Sequence, residues 1–382
     1  MRAADFDIPF NRAGLAGNEQ AYVQQALAEG QISGDGPFTR RVEASLEESL
    51  GAGRVLLTTS CTHALELAAL LLDVGPGDEV IVPAFTFVST ANAFALRGAR
   101  IVFADVRRDT LNLDETQLEE LVTPRTRAVV PVHYAGVACE LDAILEVARS
   151  HDVAVVEDNA HGLFGRYRGR FLGTFGAFAA QSFHETKSFT CGEGGALVVN
   201  EPAHVERAEV IREKGTNRKR FFRGEIDRYT WVDIGSSYVI SDLLAAFLLA
   251  QLEARDEVQA ARERLWRRYA VDLADWAAES GAVLPFVPEH CEHAYHLFHV
   301  VLPSAAARAA LIDHLRSQRI LAVFHYLPLH LSDMGRRFGG RTGQCPVTED
   351  VADRLVRLPL YGTLGPDEQA RVIEAVRTAP LP

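Results

Sequence analysis

Val153 to His161 reads VAVVEDNAH, and Ser182 to Gly195 reads SFHETKSFTCGEGG. Both stretches are short apolar runs that end abruptly in residues carrying chemistry. The first closes on Asp158 and His161, the second on Lys187 ahead of a glycine-rich turn. Apolar runs of this length, bounded by turn residues, are read as buried strands. Working outward, similar runs fall at Val55–Thr59, Glu79–Val82, Ile101–Ala104, Ala128–Val132, Val153–Glu157, Ala177–Phe183 and Ala196–Asn200. Helical patterns fill most of the gaps, at Arg40–Leu50, Thr62–Leu72, Ser89–Leu96, Asp114–Leu121 and Glu140–Ser150. This alternation predicts an α/β fold with a seven-stranded, mostly parallel sheet covered on both faces. Ligands of such sheets gather at the carboxyl ends of the strands. Thr58–Thr62, Asp158–His161 and Ser182–Lys187 are therefore expected to share one cleft.

The flanks are organised differently. Residues 1–17 lack periodicity and read as an arm leading to a helix near Asn18–Glu29, followed by the loop GQISGDGPF (Gly30–Phe38). Beyond Asn200 come a helix (His204–Glu213), a basic loop (Lys214–Trp231) and a long helical stretch from Ser241 to about Ala278. After a break at Pro285 and Pro288 the chain carries a strand (Tyr295–Leu302), a helix (Ser304–Gln318), the segment HYLPLH (His325–His330) and a last helix after Pro366. The expected division is an arm with its helix (1–30), a large domain (31–260) and a smaller α+β domain (261–382). A chain of 382 residues accommodates that division.

Composition narrows the function classes. The net charge of −12 argues against a general nucleic-acid binder. Cys61, Cys139, Cys191, Cys291 and Cys345 are scattered, odd in number and form no CxxC pair, the pattern of reduced thiols in a cytoplasmic protein. The N-terminus lacks the apolar run of a signal peptide. The longest apolar run, Leu243–Ala250, is far short of the roughly 20 residues of a spanning helix, so no membrane segment is expected. HCEHAYHLFH (290–299) holds four histidines and a cysteine, but its alternation points His296 and His299 to opposite faces, so no metal site is expected.

The strand ends carry the parts that a pyridoxal 5′-phosphate (PLP) site needs. Lys187 is the candidate for the cofactor's imine, and Asp158 for the partner of its ring nitrogen. His161, three residues on, is placed to stack on the ring or to bond its phenolic oxygen. Ser60, Cys61 and Thr62 open a helix, where hydroxyls and backbone N–H groups make an anion cup; a plain helix cap explains Ser60 equally well. Ser182 offers a hydroxyl from the far side, and Phe85 or Phe87 an aromatic cover. The six basic residues Lys214, Arg218, Lys219, Arg220, Arg223 and Arg228 suit a polyanion such as a nucleotide diphosphate, or simply a solvated loop. A nicotinamide enzyme would want GxGxxG after the first strand, and LLTTSCTH lacks it.

The set GDGPFTRR, PAFTFVSTANAF, PVHYAGVACELD, VVEDNAHG, SFHETKS, GEGG, REKGTNR, YTWVDIGSSY and VFHYLPLH resembles the PLP-dependent sugar-nucleotide aminotransferases of the DegT/DnrJ/StrS family, from about Ile8 to the C-terminus. FHETK, REKGTNR, YTWVDIGSSY and VFHYLPLH are most similar to the dTDP-4-amino-4,6-dideoxygalactose transaminase type. The resemblance implies a type I, aspartate aminotransferase-like fold and a homodimer with shared active sites. It implies Lys187 as the catalytic lysine, with Ser60, Cys61, Phe87, Asp158, His161 and Ser182 around the cofactor. Ser237 stands where many relatives donate an asparagine to the partner's phosphate. The expected substrates are L-glutamate and a dTDP-4-keto-6-deoxy-D-glucose-type nucleotide sugar, with Lys214, Arg218, Arg220, Tyr326 and His330 as candidate contacts. The gluco epimer of the product and a non-catalytic regulator of the same fold are the alternatives. A related dehydratase would carry histidine in place of Lys187.

Overall fold

The computed structural model describes residues 5–382; the first four residues of the expected arm lie outside the described residues. Seven strands form the central sheet: β1 (Arg54–Thr58), β2 (Glu79–Pro83), β3 (Arg100–Ala104), β4 (Thr126–Val129), β5 (Ala154–Asp158), β6 (Phe178–Ser182) and β7 (Gly195–Val199). Their order is β1-β7-β6-β5-β4-β2-β3. All neighbours are parallel except β7, which runs antiparallel to β1 and β6. That exception shapes the cleft. The start of β7 lies between the carboxyl ends of β1 and β6, with Gly195 opposite both Thr58 and Ser182.

Helices α1 (Glu19–Glu29), α2 (Pro37–Leu50), α3 (Cys61–Leu71) and α4 (Val88–Ala95) precede and interleave the first strands. α3 is buried nearly all round, with Leu65, Leu67, Ala68 and Leu71 against Leu56, Val156 and Leu197 of the sheet. The opposite face is covered by α2 and the helix Asp242–Glu253. Each face thus removes a continuous apolar layer from water, which is why the strands read as unbroken apolar runs.

The long helical stretch divides into Asp242–Glu253, Arg255–Asp272 and Ala274–Ser280. The physical reason is that it serves two cores. Ala245, Leu248 and Leu249 pack under the large sheet, whereas Leu265, Tyr269 and Trp276 pack with Phe298, Val356 and Ile373 in a second core. Residue 260, the expected domain border, lies inside Arg255–Asp272. The second core is built on β8 (Phe298–Val301) paired antiparallel with β9 (Leu355–Leu358), and Ile8 of the arm joins it. β9 and the preceding helix Pro346–Arg354 are absent from the sequence reading. Among the described residues, no helix is long and apolar enough to cross a membrane.

Candidate active site

The loop between β6 and β7 folds back on itself, with Phe183 N–H donating to the Gly194 carbonyl and Cys191 N–H to that of Phe183. It presents Lys187 to a cavity of about 700 Å³ at the carboxyl ends of the strands. Ser60, Cys61 and Thr62 line it from the start of α3, Asp158 and His161 from the end of β5, and Phe87 from the start of α4. His296, His325, Tyr326 and Arg357 line it from the C-terminal part of the chain, and Phe10 and Asn11 from the N-terminal part. The expected meeting of three strand ends is therefore found.

Lys187 is half-buried, and its amine has no hydrogen bond or ion pair among the described residues. Burial pushes its pKa down to about 8; Cys61 and Asp158 oppose the shift and Arg357 adds to it. Asp158 is buried and equally without an ion pair. Its Oδ2 accepts from Thr90 Oγ1 at 2.7 Å and its Oδ1 from the Ala160 N–H at 3.2 Å. Burial raises its pKa above the ordinary carboxylate value despite those two bonds. Thr90 also meets the hydroxyl of Thr86 at 2.7 Å, so a short relay fixes the carboxylate.

His161 Nδ1 accepts from the Ala135 N–H at 3.3 Å, which assigns the ring proton to Nε2, 3.4 Å from the Tyr326 hydroxyl. Burial, then the charges of Lys187 and Arg357, hold His161 well below the ordinary histidine pKa. One face of its ring is taken by His296, with centroids 4.2 Å apart.

Ser60 caps α3, its Oγ accepting from the His63 N–H at 3.1 Å. This is the helix-cap role; it also leaves Cys61 and Thr62 as the first two helical residues, whose N–H groups have no partner within the helix. Gly195 is what allows β7 to pass beneath this turn. A Cβ there would lie 2.3 Å from the Cys61 nitrogen and 2.3 Å from the Ser60 carbonyl carbon. Ser182 faces the same corner. Burial raises the Cys61 thiol well above its ordinary pKa, so it stays protonated. Phe87 is 56% exposed and borders the cavity, whereas Phe85 is core, packed on Tyr134, His325 and Tyr326.

Several expected residues lie elsewhere. Lys214, Arg218 and Ser237 line a separate cavity. Arg220 is spent on Glu206 and Glu225. His330 is a correction: it is fully buried, bonded through Nε2 to Glu349 at 2.9 Å and packed on Phe103. The cause is that Leu329 N–H bonds the Ala84 carbonyl, tying the end of HYLPLH to the sheet and leaving its start, His325 and Tyr326, in the cleft. The four histidines of 290–299 have unrelated neighbours: Glu140, Trp266, His161 and Tyr134 respectively. Among the described residues, no group of three or more His, Cys, Asp or Glu is placed to hold a metal. Thr86, Thr90, His296 and Arg357 were missed. The only sequence signal for the first two is a pair of threonines four apart across the start of α4.

The residues present fit PLP. An amine with a depressed pKa and a buried carboxylate with no cationic partner among the described residues face one cavity, and a helix N-terminus with N–H groups unpaired within the helix lies beside them.

Residues 14–377 match the DegT/DnrJ/EryC1/StrS aminotransferase family. The chain is 34% identical over 378 residues to the spore coat polysaccharide biosynthesis protein SpsC of Bacillus subtilis strain 168, covering 97% of this chain and 96% of SpsC. The aminotransferase TlmJ from Streptoalloteichus hindustanus superposes with a TM-score of 0.89 at 34% identity, over 97% of this chain and 98% of TlmJ. Spr1654 from Streptococcus pneumoniae in its PMP form superposes with a TM-score of 0.91 at 27% identity, over 97% and 98% of the two chains.

Proposed function

The chain belongs to the DegT/DnrJ/EryC1/StrS aminotransferase family and is a PLP-dependent aminotransferase; from that premise we propose that it transfers the amino group of L-glutamate to C4 of a dTDP-4-keto-6-deoxy-D-glucose-type nucleotide sugar, giving dTDP-4-amino-4,6-dideoxy-D-galactose. One observation carries the assignment of the site. Lys187, one of three lysines in the chain, faces the same cavity as Asp158, and neither has an ion-pair partner among the described residues.

PLP, when bound, supplies the electron sink for the carbon that loses its proton. The protein's part is to hold groups and move protons. Lys187, with a pKa of about 8, takes the proton from the donor's α-carbon and later delivers one to C4 of the sugar. Asp158 would keep the cofactor's ring nitrogen protonated, and Thr90 with the Ala160 amide prevents the carboxylate from turning away. Ser60, Ser182 and the first amides of α3 would hold the phosphate. Phe87 would cover the ring and His161 would stand beside it, its Nε2 proton directed at the Tyr326 hydroxyl.

The proposal includes a homodimer in which the segment carrying Lys214, Arg218 and Ser237 serves the other protomer's cleft. Two facts support it: these residues do not reach their own chain's Lys187 cavity, and Phe222, Tyr229, Trp231, Val232 and Ile234 leave an apolar stretch exposed in the same segment. It also includes the division into arm, large domain and small domain, with Arg255–Asp272 as the connector, and a cytoplasmic location, in keeping with five unpaired cysteines.

Because Lys187 is fixed on one side of the cleft, the orientation of the sugar decides the configuration at C4. The test is proton NMR of the product formed from the 4-keto sugar and L-glutamate. A small H4 coupling, from an axial amine, is expected; a large one means the gluco epimer.

A further inference from the structure

The tip of the loop that carries Lys187 is held by little main chain. At its base, Phe183 N–H donates to the Gly194 carbonyl at 2.8 Å and Glu185 N–H to that of Gly192 at 2.9 Å. Beyond Glu185 this ladder stops. Among the described residues one backbone bond remains at the tip, from Lys187 N–H to the His184 carbonyl at 2.9 Å. It closes the four-residue turn His184-Glu185-Thr186-Lys187. Past the turn, Phe189 is buried with its ring edge on Phe164. The tip therefore hangs between two fixed ends, and a swing of the turn carries the Lys187 side chain with it.

His184 supplies what the main chain lacks. Its Nδ1 accepts from the Thr186 N–H at 3.3 Å and lies 2.9 Å from the Thr186 hydroxyl. Asparagine and aspartate at the first position of a turn use a side-chain oxygen for the same N–H, two residues on. Imidazole Nδ1 is as many bonds from the backbone as the side-chain oxygen of asparagine, so it closes a ring of the same size. With Nδ1 accepting, the ring proton lies on Nε2. Nε2 faces Glu193 on the returning limb, 3.6 Å from Oε1. His184 thus spans the loop from the turn to the opposite limb. Asn11 fastens the other side, its Nδ2 donating to the Glu185 carbonyl at 3.1 Å. Asn11, His184, Thr186 and Glu193 all border the cavity that receives Lys187.

We infer that His184 is a positioning residue, whose Nδ1 closes the turn that aims Lys187 into the cleft. The inference rests on reading Lys187 as the lysine that bears the cofactor. His184 acts through the Thr186 N–H, and any residue that offers an acceptor at the same place does the same work. A catalytic lysine needs this constraint, because a displacement of about 1 Å at a reacting group can slow its chemistry by about a hundredfold.

The test compares the full chain as wild type, His184→Ala, His184→Phe and His184→Asn. Phenylalanine keeps the bulk of the ring without its acceptor; asparagine keeps the acceptor without the ring. Capture of PLP by the cofactor-free protein is followed by rapid mixing over roughly pH 6 to 10, and the melting temperature of the cofactor-free protein is measured beside it. His184→Ala and His184→Phe are expected to capture PLP about 10- to 100-fold more slowly. In both, the pH at which capture levels off rises from about 8 toward that of a solvated lysine, because the amine is no longer held in the cleft. His184→Asn stays within about threefold of wild type and levels off at the same pH. All melting temperatures move by less than about 3 °C. Capture by His184→Ala at the wild-type rate and pH would overturn the inference. So would a loss in His184→Asn equal to that in His184→Ala, which assigns the imidazole itself to the cofactor or substrate, or a fall in melting temperature that tracks the loss of capture, which makes His184 part of the fold alone. Borohydride reduction of the PLP-loaded wild type separates the underlying reading: a tag away from Lys187 overturns the assignment of the lysine before any variant is compared.

Discussion

The Lys187 cleft and the cavity between α2, the helix Val205–Arg212 and the basic loop are nearly equal in size, about 700 and 710 Å³. Both are rich in charge, and they treat it in opposite ways. In the second, the charges neutralise one another. Arg212, fully buried, bonds Glu43 at 2.6 Å and also Asp35; Arg54 reaches Glu43 and Glu47; Arg223 bonds Glu209 at 2.8 Å. In the first, Lys187, Asp158 and Arg357 have no ion pair among the described residues. Volume does not separate an architectural cavity from a reactive one; open valence does. A charge matched within its own chain holds elements together, whereas one left unmatched at the cost of desolvation is available to a ligand.

Replacing one residue from each cavity tests that contrast most severely. Lys187→Ala is expected to reduce amine transfer by at least about a thousandfold, with no loss of thermal stability, since it deletes a desolvated amine that has no partner. Arg212→Met is expected to cost about 3–5 kcal/mol of unfolding free energy in urea titrations, because Asp35 and Glu43 lose their buried partner. A Lys187→Ala protein that unfolds early, or a stable Arg212→Met protein, breaks the comparison.

A smaller effect is a pH dependence. Only the neutral amine attacks an aldehyde, so capture of PLP by the cofactor-free protein should fall about tenfold for each pH unit below 8 and level off above it. An ordinary lysine, with a pKa of about 10.5, would give a rate still climbing at pH 9 to 10, roughly. Rapid mixing with PLP across that range distinguishes them. Smallest is Thr90→Val, which removes one of the two hydrogen bonds to Asp158. PLP affinity measured by equilibrium dialysis should weaken by roughly three- to tenfold, while the melting temperature of the cofactor-free protein shifts little, because Asp158 is already easy to protonate. A loss of stability with unchanged PLP affinity would make Thr90 architectural.

The same contrast explains what was legible in the sequence. All seven strands of the sheet could be read, because each is an apolar run stopped by polar residues, and the strand ends named Lys187, Asp158, Ser60 and Ser182 as neighbours. β9 was not read, since RLVRLPL mixes arginines with its apolar residues, and Arg357 went with it. Thr90 resembles any helical residue until its hydroxyl is seen beside Asp158. His330 was assigned to the ligand because HYLPLH reads as one motif, yet a single backbone bond from Leu329 to Ala84 sends its two ends to different environments. Pairing across long sequence distances, such as Arg212 with Asp35 and Glu43, leaves no local pattern.

The claim at the centre of this account is that Lys187, and neither of the other two lysines, bears the cofactor. Borohydride reduction of the PLP-loaded protein followed by peptide mapping tests it directly. The account predicts a phosphopyridoxyl group on the peptide containing Lys187 alone. A tag on Lys214 or Lys219, or no tag on a protein that still transfers amine, would contradict it.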